Sequence, residues 1–391
     1  MNANNHLNNA MNFYCQNLYK DAINEASMSI ELNPHDYLAY EIRGCAYYFS
    51  EENEKALQDF NKAISINPKS SRAYCYRGLC YLTSRSATSR EPLTFSKPST
   101  FTLSGYTLDN NIIENFTQAL QDENTAIELD KNNIEAYDAR GQAYFWLEDY
   151  ERALIDLNKV LKQVPNENTY GIRAQLYYLF KNYDSAIDDI NEVIKLNPLN
   201  YVAFDVRGRA YYMKKEYDKA IVDLTKAIQL KPSNDMAYYY RGCCYYFQDK
   251  NNEAIEDFDN CIKYNSHNYS AYDYRGRCYW FKEDYMRAIN DETTSISLNP
   301  NNGNAFDFRG RAYYFKRDYN SAITDLSEAI KLGVNNFSVF DCRGRCYFYL
   351  KQYECAISDF QQALKIKPDN KELYEFLKKV YRVMKSEGLV N

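Results

Sequence analysis

Histidine is nearly absent from this chain. Its three copies are His6, which reads as part of an N-terminal tail, and His35 and His267, which read as residues of connecting loops, so no nucleophile and base can be assembled around any of them. Loops of the form G-x-x-x-x-G-K-[ST] or G-x-G-x-x-G, which cradle phosphates with backbone N–H groups, are missing too. No enzyme is expected, and no cofactor. Cysteine is present in eleven copies, an odd number, but without a single C-x2-C spacing. That speaks against a disulfide framework or a zinc site, and Cys342 and Cys346, one helical turn apart, have no histidine near them to complete a metal set. Positive charge has no excess: 47 Lys and Arg face 53 Asp and Glu, so there is no basic field to neutralise phosphates and nucleic acid is not an expected partner. No apolar run reaches the roughly 18 residues of a membrane span. The first fifteen residues have neither a basic n-region nor an apolar h-region. These absences predict a soluble intracellular protein, cytoplasmic with the nucleus left open.

Glycine and proline are few, which makes their positions informative. Gly208, Gly242, Gly276, Gly310 and Gly344 each follow an arginine and recur every 34 residues, as do Gly44 and Gly78. An alanine stands twelve residues after all of these but Gly78 (Ala56, Ala220, Ala254, Ala288, Ala322 and Ala356), and likewise Ala153 after Gly141; for Gly78 the alanine is Ala119, beyond a long insertion. Seven of the nine prolines keep the same register. Within residues 201–234, Phe204, Gly208 and Tyr211 share one helical face, and Tyr217, Ala220, Ile221, Leu224 and Ile228 share another. The unit is thus two short amphipathic helices, brought close by the small residues and ended by Pro232. The tyrosines, 40 in all, fall mostly at packing positions and serve as core; Cys80, Cys244, Cys278 and Cys346 sit where a small apolar residue is wanted and read as reduced thiols.

This pattern of period, small residue, tyrosine, alanine and terminal proline resembles the tetratricopeptide repeat over nearly the whole chain. The resemblance implies an all-α fold, a right-handed α-solenoid of about ten helix-turn-helix repeats whose first helices line a concave wall. Tyr or Phe replaces the family's early Trp (Tyr40, Tyr74, Tyr137, Phe204, Tyr238, Tyr272, Phe306, Phe340), which leaves packing intact.

In chain order, residues 3–83 carry repeats one to three as far as the first helix of the third. Residues 84–111 are a Ser/Thr/Pro-containing insertion, because Gly78 to Gly141 is 63 residues, one period plus 29. It is expected to be a dispensable surface loop, with three readings open: a phosphorylatable regulatory segment, a tolerated insertion or an artefact of the gene model. Residues 112–369 hold the rest of repeat three and repeats four to ten, one residue short near Pro165, and 370–387 form a capping helix.

Two internal series recur. An arginine precedes the small residue in every repeat but the first (Arg43, Arg77, Arg140, Arg173, Arg207, Arg241, Arg275, Arg309, Arg343), and an acid follows that residue by fifteen (Glu25, Asp59, Asp122, Asp156, Asp189, Asp223, Asp257, Asp291, Asp325, Asp359). A ladder of Arg–carboxylate bridges is expected, with each arginine reaching the acid of the preceding repeat. The second series is Asp205/Arg209/Tyr212, Asp273/Arg277/Trp280, Asp307/Arg311/Tyr314 and Asp341/Arg345/Phe348, at i, i+4 and i+7 on first helices. By the resemblance this is the wall of a groove that binds an extended peptide or a helical segment of a protein partner. The alternatives are an assembly subunit using its outer face, with self-association left open, a co-chaperone-like adaptor, or a superhelix around a small ligand. The acidic tails of heat-shock chaperones are not expected ligands. The family's Lys–Asn carboxylate clamp is replaced by Glu41/Cys45, Cys75/Leu79, Asp138/Gln142 and Asp205/Arg209.

Overall fold

Asparagine sets the pitch of this fold. In the computed structural model, which describes residues 2–83 and 110–388, side chains at Asn133, Asn166, Asn200, Asn234, Asn268, Asn302, Asn336 and Asn370 each accept from a backbone N–H two or three residues on and start a helix. Asp36 and Ser70 do the same earlier in the chain. Each cap satisfies a donor that the helix itself cannot, typically worth about 1 kcal/mol.

All regular structure among the described residues is helical. The chain divides into two compact units, Met1–Ala210 and Tyr211–Asn391. The first unit holds α1 (Ala3–Cys15), α2 (Tyr19–Leu32), α3 (Tyr37–Phe49), α4 (Asn53–Ile66), α5 (Ser71–Thr83), α6 (Asn110–Leu129), α7 (Ile134–Trp146), α8 (Tyr150–Leu161), α9 (Glu167–Leu179), α10 (Tyr183–Leu196) and most of α11 (Tyr201–Met213). The second holds α12 (Tyr217–Leu230), α13 (Asp235–Phe247), α14 (Asn251–Tyr264), α15 (Tyr269–Phe281), α16 (Tyr285–Leu298), α17 (Gly303–Phe315), α18 (Tyr319–Lys331), α19 (Phe337–Tyr349), α20 (Tyr353–Ile366) and α21 (Lys371–Ser386). Within each unit consecutive helices pack as antiparallel pairs, and the first helices of neighbouring repeats also touch: α1 on α3, α3 on α5, α13 on α15, α15 on α17 and α17 on α19. Residues on the shared side of these helices therefore form a wall. The expected insertion lies outside the described residues except for Asn110 and Asn111, which open α6.

A knob-and-gap contact closes the pairs that carry glycine in the first helix. A side chain on Gly344 would meet Phe360 Cε1 at 2.6 Å, so the missing Cβ is the space that the ring fills. Phe60, Leu157, Phe258 and Leu326 fill the equivalent space in their own repeats, all fully buried. At the end of the chain α21 covers this core with Leu373, Val380 and Met384, laid against Tyr353, Phe360, Ala363 and Leu364.

The turn inside each pair is tight. After α15, the Glu283 N–H donates to the Trp280 carbonyl and the Asp284 N–H to the Tyr279 carbonyl, each at 2.9 Å, and the Asp284 side chain then caps α16. This double bond pattern requires a left-handed residue at Glu283, whose φ is 61°, and the same holds at Asn17, Glu51, Glu148, Lys181, Lys215, Asp249, Arg317 and Lys351. None of the nine is glycine. Left-handed backbone costs a side-chain-bearing residue about 1–2 kcal/mol, and glycine's greater freedom in the unfolded chain gives back about half of that. Glu283→Gly and Arg317→Gly are each expected to stabilise the second unit by about 0.5–1 kcal/mol, readable as an upward shift of the urea midpoint with unchanged slope.

Candidate functional site

Each ladder arginine uses three nitrogens for two repeats. Arg43 Nε and Nη2 donate to the two Asp59 oxygens at 2.7 Å, and the same fork joins Arg77 to Asp122, Arg140 to Asp156, Arg173 to Asp189, Arg241 to Asp257, Arg275 to Asp291, Arg309 to Asp325 and Arg343 to Asp359. The expected direction is therefore corrected: arginine holds the acid of its own repeat, across the antiparallel helix pair. Only the remaining Nη1 reaches back to the preceding repeat, to Ser27, Asn61, Asn124, Asn158, Asn191, Thr225, Asp259, Thr293 or Ser327. That position, two residues after the acid, is polar every time, and this was the readable signal. The acids are almost completely buried. Burial pushes the Asp257 carboxyl above its ordinary value while the Arg241 fork pulls it back.

His6 is also corrected. It is not in a tail but buried in α1, where Nδ1 lies 2.8 Å from Glu25 Oε2, and Asn9 Nδ2 donates to the same oxygen. The two residues stand in for the arginine that the first repeat lacks. Their bonds hold the Glu25 carboxyl below its usual value.

The second series turns its charges on itself. Arg277 Nε and Nη2 donate to Asp273 Oδ1 and Oδ2 at 2.7 and 2.6 Å, Arg311 Nη2 to Asp307 at 2.9 Å, Arg345 Nε to Asp341 at 2.9 Å, and Arg209 Nη1 to Asp205 at 3.4 Å. Asp205, Arg209, Asp273 and Asp307 are buried, while Arg277, Arg311, Asp341 and Arg345 are partly so. The guanidiniums lie on rings: Arg277 over Tyr274 and Phe308 at 4.7 and 4.9 Å, Arg311 over Phe308 and Trp280 at 4.0 and 5.1 Å, and Arg345 over Phe376 at 4.7 Å. Cation–π contacts thus carry the series from one first helix to the next. Trp280 Nε1 and Arg311 Nε are buried donors without an acceptor.

The aromatic members lead outward. Tyr212 packs on Phe247 at 6.2 Å, Trp280 on Phe281 and Phe315 at 5.2 and 5.9 Å, Tyr314 on Phe315 and Tyr349 at 5.2 and 6.4 Å, and Phe348 on Tyr349 at 5.6 Å. Phe247, Phe281, Phe315 and Tyr349 are the last residues of α13, α15, α17 and α19, and they are 47, 52, 49 and 48 % exposed. Sequence reasoning missed them because an aromatic ring near the end of an amphipathic helix reads as core. Three are braced from behind by the tyrosine that opens the preceding second helix: Tyr217 on Phe247, Tyr285 on Phe315 and Tyr319 on Tyr349, with ring planes within 11° of parallel. At Phe281 that place belongs to Asn251, and Phe281 is the most exposed of the four.

No helix among the described residues is long and apolar enough to cross a membrane. Models of the TPR repeat match residues 208–249, and models of the tetratricopeptide repeat match 37–70, 135–167, 168–198, 236–267 and 337–370. No curated protein sequence matches the chain. Among solved structures, the APC/C hetero-tetramer Cut9-Hcn1 is similar at 15% identity and a TM-score of 0.51, covering 97% of this chain and 90% of its own. Yeast Tom70 is similar at 15% identity and a TM-score of 0.42, covering 98% of this chain and 96% of its own. YrrB, described as a TPR protein with an unusual peptide-binding site, is similar at 20% identity and a TM-score of 0.44, covering 49% of this chain and 97% of its own.

Proposed function

We propose, from the premise that this chain belongs to the tetratricopeptide repeat family, that it is a non-enzymatic scaffold which holds an extended peptide or a helical segment of a protein partner along the first helices of its second unit. One observation carries this reading: four half-exposed rings, Phe247, Phe281, Phe315 and Tyr349, recur at the same register on successive first helices. Isolated exposed apolar residues are ordinary on protein surfaces, but a contiguous row of large rings is the usual mark of a contact surface. Asp273, Arg277, Asp307, Arg311, Asp341 and Arg345 act as positioning residues in this reading. Their ion pairs and ring contacts hold Trp280 and Phe348 behind the exposed row, Arg311 lying on Trp280 directly and Arg345 acting through Phe376.

The test is a peptide array screened with the full chain, followed by anisotropy titrations of the peptides it selects. Phe281→Ser and Phe315→Ser are each expected to weaken those peptides about tenfold, the cost of a central aromatic anchor. Equal binding by wild type and the double variant would reject the surface. A sedimentation shift of the free protein that the same variants abolish would instead favour assembly of copies through these rings.

A further inference from the structure

Phe281 differs from its counterparts in what lies against its face. Tyr217, Tyr285 and Tyr319 open α12, α16 and α18 and lie nearly parallel to Phe247, Phe315 and Tyr349, with ring centroids 5.6, 4.9 and 4.9 Å apart. In the first unit Tyr19 lies on Phe49 in the same way, at 5.4 Å and 12°. α14 opens with Asn251 instead. The rings that touch Phe281 are Trp280 and Tyr246, which meet it at 90° and 57°, so neither lies flat on it.

The register of the repeat is kept at this junction. Lys282 Nζ donates to Asn252 Oδ1 between the end of α15 and the start of α14, as Gln248 Nε2 donates to Asp218 Oδ1 one repeat earlier. Asn251 therefore stands where the tyrosine stands elsewhere. α4 also opens with an asparagine, but there the opposite residue has changed with it, and Asn53 Nδ2 donates to Thr83 Oγ1 at 3.1 Å. Opposite Asn251 the ring has been kept, and Phe281 offers the amide no hydroxyl. Tyr217, Tyr285 and Tyr319 are themselves only half-buried, so the place they hold is reached from solvent. α13 also lacks the Asp/Arg pair of α11 and α15, with Tyr239 and Cys243 at those positions, and this stretch of wall is uncharged.

We propose that an aromatic side chain of the bound segment completes the stack on Phe281, lying flat on the ring beside Asn251 where the other repeats supply a tyrosine of their own. An aliphatic residue would cover the ring without the gain of a parallel face. Lys250 and Lys282, next to the two residues in sequence, disfavour a lysine or arginine of the ligand over the same ring. This anchor presupposes the scaffold proposed above and specifies the chemistry of its ligand: one Tyr, Trp or Phe set at Phe281.

The probes are labelled peptides captured from a random library by the full chain, each resynthesised with every Tyr, Trp and Phe changed singly to Leu and titrated by anisotropy. One ring in each peptide is expected to matter, its replacement weakening binding about fivefold, the order of a stacked pair. Asn251→Tyr supplies the ring from within the chain. It should melt no lower than wild type, keep the binding of the Leu peptides and lose the fivefold preference. Tyr217→Asn makes the same change opposite Phe247 and should capture peptides in which two rings matter. Capture of no peptide by the wild type overturns the scaffold, and the anchor with it. The anchor alone is overturned, with the scaffold left standing, if captured peptides tolerate Leu at every ring, if the preference survives in Asn251→Tyr, if Asn251→Tyr unfolds at lower temperature, or if arginine takes the place of the ring in the captured set.

Discussion

Truncating Arg241 to alanine is expected to destabilise the second unit by about 3 kcal/mol, the cost of leaving a buried charge without its partner. Asp257 is 2 % exposed and loses both fork bonds at once, while Thr225 in the preceding repeat loses the Nη1 donor. The Coulombic attraction is not what decides this number, since desolvation offsets most of it in the intact pair. The stranded carboxylate decides it. Replacing both partners, Arg241→Met with Asp257→Leu, should therefore recover most of the loss, and a double-mutant cycle from urea denaturation measures the difference. The deficit of the single variant should also shrink in acid, where Asp257 takes a proton and no longer needs a cation. A single variant as stable as wild type at neutral pH would show that water reaches Asp257.

The second large effect has the opposite sign. Glu292→Leu is expected to stabilise the same unit by about 2 kcal/mol, the desolvation cost of an unsatisfied buried polar group. Glu292 occupies the place that Phe258, Leu326 and Phe360 fill in neighbouring repeats, against Gly276, whose added Cβ would meet it at 2.7 Å. It is fully buried, and neither carboxyl oxygen has a hydrogen-bond partner. Burial first, then the charge of Asp273, push its carboxyl well above the ordinary glutamate value, against an opposing pull from Arg277 and with a lesser push from Asp291. The raised value fixes the direction of the pH dependence. Below the ordinary glutamate value both the folded and the unfolded chain carry this proton, and Glu292 costs nothing extra. Above it the unfolded chain releases the proton while the folded chain keeps it, so stability falls as pH rises, by about 1.4 kcal/mol per pH unit for one proton, until the raised folded value is reached. Glu292→Leu should remove this slope and Glu292→Gln should remove it without the full gain. Glu123, equally buried at the same register beside Gly78, should behave alike in the first unit. Melting curves across mild acid to neutral pH that stay parallel for wild type and variant would contradict both expectations.

The helical pairs and their period were legible in the sequence because Gly, Ala and Pro act through the backbone at fixed offsets, and local rules suffice. The ladder was legible as a set of partners but not as a direction. Arg207 stands sixteen residues before Asp223 and eighteen after Asp189, and spacing alone does not choose between its own repeat and the one before. The geometry of the antiparallel pair chooses. His6 was hidden by an Asn-rich start that reads as a tail, although Glu25 had no arginine of its own and so called for a donor. The groove residues show a different limit. An Asp and an Arg one turn apart look the same on a helix whether they face a ligand or each other, and the ring that covers Arg277 is Phe308 of the next first helix, a contact beyond local pattern.

The backward reach of Nη1 bears on where this chain can be cut. Sequence repeats end at the proline turns, but the hydrogen-bonded module does not, because the polar residue two places after each acid is served by an arginine belonging to the following repeat. A fragment trimmed at a proline would leave its last Asn, Ser or Thr facing a missing donor and its last first helix without a neighbour. At α21 the register changes: 34 residues after Arg343 stands Leu377, a half-buried apolar residue, and the residue that an arginine there would have served is the exposed Gln361. Excised arrays of these repeats should therefore keep a α21-like terminator, with leucine in the arginine's place, as the piece that turns an open-ended stack into a finite one.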